Sequence, residues 1–235
     1  MMIDEYYSEG PSGIRFSRQQ ASAFAKQVAD DFNPLHDPDA KLFCVPGDLL
    51  FAVVLSRYGI SQRMRFTFSG MVGDGIALQL PDSADRLLTV VDAEEKPYLK
   101  VEREGDNSQD PQLVQGLISR YVQFSGHTFP DILVPLMAEH GTMVNTTRPL
   151  VIYESMEIDL DHLQIPAPEL EFTGSRLKVS GKRGRVQLEF SLKSGNEIVG
   201  KGVKHMSLRG LRPFDQNMID QLVDGYLRHK QEYSG

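Results

Sequence analysis

Apolar blocks of helical length and shorter strand-like runs alternate along this chain, and the same order occurs twice. In the first half, residues 48–58 (Asp-Leu-Leu-Phe-Ala-Val-Val-Leu-Ser-Arg-Tyr) form an apolar block entered through Pro46-Gly47 and closed by Gly59. That pattern predicts a helix. Strand-like runs follow at 64–72, 75–80, 86–92 and 98–103. In the second half, residues 131–140 predict a helix closed by Gly141, followed by strand-like runs at 149–159, 170–179, 185–192 and 197–208. One helix and four strands, twice, predicts an α+β chain. In it, two antiparallel sheets each wrap a helix and join edge to edge.

Between the halves, residues 104–111 are polar and read as a linker. The expected organisation is therefore residues 1–104, residues 111–212, and a terminal helix within 213–235. In that last segment Asp215 is a candidate cap, and Met218, Leu222 and Tyr226 recur on one helical face. It reads as a packing helix without a chemical role. Near the N-terminus, residues 17–29 read as another helix.

Composition narrows the class. Apolar residues make up 40% of the 235 positions and charged residues 24%, as in a soluble globular protein. Lys and Arg number 25 against 32 Asp and Glu, a net charge of −7, which argues against a nucleic-acid partner. The single cysteine, Cys44, excludes an internal disulfide and reads as a buried thiol. Residues 1–10 carry acids and no apolar run, unlike a signal peptide, and no stretch is long and apolar enough to span a membrane. A cytoplasmic protein is the expectation.

The candidate chemistry lies in Asp30-Asp31-Phe32-Asn33-Pro34-Leu35-His36-Asp37. Asn-Pro favours a turn and stops a helix. Asp31 and His36 are thus expected on either side of a bend, reaching one small volume as an acid/base pair. Asn33 would orient the loop or hold a water. The free N–H groups at the start of the next helix, Gly47 and Asp48, form a second candidate, because a helix N-terminus stabilises developing negative charge.

The run Asp31, Asn33, Pro34, His36, continued by Ala40, Phe43, Gly47 and Leu49, resembles the signature of the MaoC-like (R)-specific enoyl-CoA hydratases. Asp30 stands where that family usually has Gly, Pro46 where a His or small residue is common, and Asp48 at the usual Met position. The resemblance implies a double hot-dog fold and hydration of trans-2-enoyl thioesters, carried by CoA or an acyl carrier, to 3-hydroxyacyl thioesters. It implies catalysis by Asp31 and His36 with Asn33, and substrate contact by Phe43, Pro46, Gly47 and Asp48. It needs no cofactor and no metal, and a homodimer is in keeping with it. In the second half, Phe124-Ser125-Gly126-His127 echoes the start of the signature without the rest, and that half reads as non-catalytic. The basic turn Lys182-Arg183-Gly184-Arg185 reads as solvated, although such a turn could meet the phosphates of CoA. Two alternatives stay open: a hot-dog acyl-CoA thioesterase, and an acyl-CoA or lipid-binding protein without catalysis.

Overall fold

The computed structural model describes residues 2–83 and 85–234. A hairpin of β1 (Ser8–Gly10) and β2 (Gly13–Arg15) leads into α1 (Arg18–Ala23). Ser17 and Gln20 close a capping box: the Gln20 N–H donates to Ser17 Oγ and the Ser17 N–H to Gln20 Oε1, both at 3.1 Å. The helix continues through a π-helical turn, Phe24–Val28, and stops at Ala29.

The central element is α2 (Gly47–Tyr58). Its residues from Leu49 to Leu55 are all buried, so the helix is enclosed on every side. Gly59 ends it with φ +74°, where an L side chain would be strained and a Cβ would meet the Ser108 carbonyl oxygen at 2.4 Å. Then come β3 (Ile60–Phe68), β4 (Ala77–Leu78), β5 (Leu87–Val91) and β6 (Pro97–Ser108). The second half opens with α3 (Pro111–Gly126). A π-helical turn at Phe129–Leu133, α4 (Val134–Glu139) and β7 (Thr142–Met143) follow. Next are β8 (Leu150–Leu160), β9 (Glu169–Ser180), β10 (Arg183–Ser194) and β11 (Glu197–Arg209). The chain closes with β12 (Arg212–Pro213) and α5 (Gln216–Ser234).

Seven strands form one sheet in the order β5-β6-β3-β8-β11-β10-β9, and every pairing is antiparallel. The first half supplies β5, β6 and β3. The second supplies the other four. They meet at one seam, where Arg63 to Thr67 of β3 pair with Asp159 to Ser155 of β8. Within the main sheet, the first strand after the long helix of each half (β3, β8) lies at the seam, and the last strand of each half (β6, β11) lies beside it. This repeated order around buried helices is the double hot-dog. A small sheet, β1-β2-β4, joins the main one through a bridge between Gln79 and Val91. No described helix is long and apolar enough to cross a membrane.

Three sequence expectations need correction. The long helix of the second half is α3, which the polar appearance of its entry hides. Asp110 caps it, accepting from the Gln112 N–H at 2.8 Å, and Pro111 occupies its first turn. Leu113, Val114, Leu117, Ile118, Tyr121 and Val122 recur at helical spacing and are buried. The expected helix at 131–140 is the shorter continuation through the π turn and α4. Residues 104–108 are not a linker: they extend β6, with Ile60 paired to Ser108 and Ser61 to Asn107. Finally, the 75–80 run keeps only a two-residue strand, which leaves the main sheet to pair with β2.

The end of α3 touches the end of the first helical segment. A Cβ on Gly126 would lie 1.8 Å from the Ala29 carbonyl oxygen, so only glycine allows this approach. Ordinarily Gly→Ala inside a helix stabilises by up to ~1 kcal/mol. Gly126→Ala is expected instead to destabilise by about 1–3 kcal/mol through overpacking, read as a lower urea midpoint. Gly225→Ala in α5, where nothing lies within 4 Å of the new methyl, is expected to stabilise. Equal effects of the two substitutions would contradict this packing.

Candidate active site

The Asn-Pro bend is held from several sides. Asp30 adopts φ +56°, the left-handed conformation for which glycine is the common choice and which Asp tolerates. Its carboxylate accepts from His127 Nε2 at 2.6 Å and pairs with Lys230 of α5. Burial works against its charge, but Lys230 and His127 outweigh burial and hold the carboxyl below its usual range. The Asp31 N–H donates to the Ala25 carbonyl at 2.8 Å. Asp31 Oδ1 accepts from the Asn33 N–H at 2.9 Å, and Asn33 Oδ1 from the Leu35 N–H at 3.1 Å. The Asn33 side chain thus caps the short 3-10 turn Pro34–His36. Tyr226 of α5 completes the support, its hydroxyl accepting from the Phe32 N–H at 3.1 Å.

This bend brings Asp31 and His36 together. His36 Nδ1 donates to the Cys44 carbonyl oxygen at 2.8 Å. That bond aims Nε2 at Asp31 Oδ2, 3.6 Å away. Burial opposes charge on His36, but Cys44 and the Asp31 carboxylate outweigh it and push the imidazole up to about 9. Burial raises Asp31 above the usual carboxylate value, and His36 partly offsets this.

Both side chains line a cavity of ≈ 360 Å³. That size suits a small ligand or the reactive end of a larger one. Its walls come from the bend, the start of α2, the end of α3, β8, β11 and α5. Pro46, Gly47 and Asp48 line it; Phe43 does not. The Phe43 ring instead packs in the core under the Arg18 guanidinium, 4.9 Å from its centroid. Over Gly47, a Cβ would meet the Tyr153 ring at 3.0 Å and the Phe68 ring at 3.3 Å, so glycine lets these aromatics close on the helix start.

Asp48 does not cap its own helix. Its Oδ2 accepts a hydrogen bond from the Ser125 hydroxyl, and Ser125 Oγ in turn accepts one from Lys204 Nζ of β11. All three side chains are buried and line the cavity. Lys204 Nζ also lies 4.1 Å from the centroid of the Tyr153 ring, and the Tyr153 and Tyr121 hydroxyls share a hydrogen bond. Burial lowers the Lys204 ammonium, with Asp48 and Asp31 acting the other way. Asp48 Oδ1 is buried with no hydrogen-bond partner among the described residues.

From the sequence, Ser125 reads as part of a non-catalytic echo of the signature and Tyr226 as a packing residue, and Lys204 and Tyr153 carry no assignment. For Lys204 a signal existed: it shares one face of β11 with Met206 and Leu208, both buried. A charged residue at that period-2 position marks a buried polar partner. Tyr226 lay in a helix read as packing alone, yet α5 lines the cavity with Gln221, Leu222, Gly225, Tyr226 and His229.

The His36 shift has a stability consequence. Its folded value of about 9 lies above the ordinary 6.5, so the folded chain keeps a proton that the unfolded chain loses. The stabilisation is complete below 6.5 and disappears as pH rises through about 9. The His36 imidazole resonances are expected to titrate with a midpoint near 9, with the urea midpoint falling over the same window. A midpoint at 6.5 or below would contradict the pairing.

Among solved structures, the fold is similar to a MaoC-like dehydratase, with 11% identity, 87% of this chain and 98% of that chain covered, and a TM-score of 0.43. It is similar to acyl-CoA thioesterase II TesB2 from Mycobacterium marinum, with 11% identity, 72% and 90% covered, and a TM-score of 0.41. An acyl-ACP thioesterase from Bacteroides thetaiotaomicron VPI-5482 matches at 11% identity over 69% and 90%, with a TM-score of 0.35. No curated protein matches the chain in sequence. Residues 1–217 match the family described as "Protein of unknown function (DUF3581)", and the chain belongs to that family.

Proposed function

We propose that the cavity receives an acyl thioester and that Asp31 and His36 add water across an enoyl double bond beside the thioester carbonyl. The observation that carries this reading is the pairing of an acid and an imidazole 3.6 Å apart on the wall of one largely apolar cavity, next to a helix N-terminus. Asp31 takes a proton from water as its oxygen bonds to C3. Negative charge then develops on the thioester oxygen. The N–H groups of Gly47 and Asp48 at the start of α2 are suited to receive it, because the Asp48 side chain is turned away to Ser125. His36, protonated at neutral pH, gives its Nε2 proton to C2. The proton gained by Asp31 then returns to His36, and the pair is reset. Asn33 serves by holding the bend. Phe43 has no part in this reading, since it does not line the cavity.

The thioester supplies its own activation, because its carbonyl makes C2 able to hold charge and C3 electrophilic. The carrier can be CoA or a carrier protein, since the cavity accounts for the acyl end alone.

The direct test follows a trans-2-enoyl-CoA series by loss of enoyl absorbance together with formation of the 3-hydroxyacyl thioester. Asp31→Asn is expected to lower turnover by ~10²–10⁴-fold with acyl-CoA binding retained, and His36→Ala to act alike. Acyl-CoA binding by the unaltered chain, with no hydration at any chain length, would replace this reading with that of a binding protein.

A further inference from the structure

The hydration scheme gives the buried side chains of Asp48, Ser125 and Lys204 no step in the chemistry. This group joins α2, the end of α3 and β11 on the same cavity wall. A serine hydroxyl placed between a carboxylate and an ammonium is set up for nucleophilic attack. The carboxylate is positioned to take the hydroxyl proton. The ammonium is positioned to stabilise the oxygen that loses it. Ser125 Oγ donates to one and accepts from the other, which leaves it a second lone pair for a carbon electrophile. Asp48 Oδ1, buried and without a partner among the described residues, is not tied to another donor. The Tyr153 ring lies beside Lys204 Nζ, a further favourable surrounding for the cation.

A purely structural group would also hold three buried polar side chains together. Two features favour chemistry. The group lines the cavity instead of lying in the apolar core. It also sits at the start of α2, where free N–H groups can hold the oxyanion of a tetrahedral intermediate.

We propose that Ser125 is a nucleophile that accepts the acyl group of a thioester, giving the cavity a second activity: hydrolysis of saturated acyl thioesters through an acyl-serine. It rests on the reading that the cavity receives an acyl thioester, but not on hydration. In the first step Ser125 Oγ bonds to the thioester carbonyl carbon and its proton passes to Asp48. The C–S bond then breaks, and the leaving thiol takes that proton. In the second step water attacks the serine ester, giving one proton to Asp48, which returns it to Ser125 Oγ as the free acid leaves. Lys204 holds its positive charge beside Ser125 Oγ in both steps. The oxidation state of no atom changes, and water is the only co-reactant.

The experiment incubates the full chain with saturated acyl-CoA thioesters from butanoyl to dodecanoyl and reads free thiol with a thiol-reactive chromophore. Thiol release is expected from the unaltered chain and its loss from Ser125→Ala that retains the unaltered chain's circular dichroism. No release at any chain length, or release that persists in folded Ser125→Ala, overturns the proposal. A second measurement needs no variant, in case Ser125→Ala fails to fold. An alkylsulfonyl fluoride, which modifies activated serine hydroxyls, is expected to add to Ser125 by peptide mass mapping and to stop thiol release. Release that continues with Ser125 unmodified overturns it. A saturated thioester has no double bond to hydrate, so these outcomes are separate from 3-hydroxyacyl formation. Thiol release without hydration keeps Ser125 and removes the hydratase reading; hydration without thiol release does the reverse.

Discussion

The enclosure of α2 is the constraint on which the rest of the structure depends. Its residues from Leu49 to Leu55 are buried around the whole circumference, so no face is left for solvent. Strands of the first half cover one side. The second half covers another through α3, and the Phe51 ring lies 5.0 Å from Phe66 of β3 and 4.7 Å from Tyr121 of α3. The halves therefore share a core as well as the β3–β8 seam. Enclosing α2 also carries its first acidic side chain, Asp48, out of water. A buried carboxylate needs partners, and Ser125 and Lys204, both from the second half, supply them.

The cavity is a consequence of this shared core. The bend around Asn33-Pro34 comes from the first half, Ser125 and Lys204 from the second, and Tyr226 from the terminal helix. Asp30 is tied to both His127 and Lys230, so the backbone that presents Asp31 is fastened to the end of α3 and to α5 at once. The aromatic cluster of Phe32 with Tyr226, His229 and Tyr233 anchors α5 in the same place. This explains why a helix with the sequence character of a packing element borders the site.

The local features were legible in the sequence; the long-range ones were not. Asn-Pro between Asp31 and His36 carries a turn on its own, and the pair is adjacent in the folded chain. The apolar block from Leu49 is a helix wherever it lies. The α3 helix escaped because its polar entry, Asp110-Pro111-Gln112, looks like a continuation of the preceding polar run, while the apolar recurrence begins only at Leu113. Phe43 escaped in the other direction: its position fits the family pattern, yet its ring packs beneath Arg18 in the core. Ser125 and Lys204 lie 79 positions apart, and only the crossing of α3 with β11 brings their side chains into contact.

The central claim is that this cavity holds the acyl end of a thioester between the Asp31–His36 pair and the start of α2. A crystal structure with a non-hydrolysable acyl-CoA thioether analogue tests it most directly. The acyl chain is expected to run into the apolar part of the cavity. The atoms that mimic C2 and C3 are expected within reach of Asp31 and His36, and the carbonyl position near the Gly47 and Asp48 N–H groups. An analogue bound elsewhere on the chain, with the cavity empty, would contradict it.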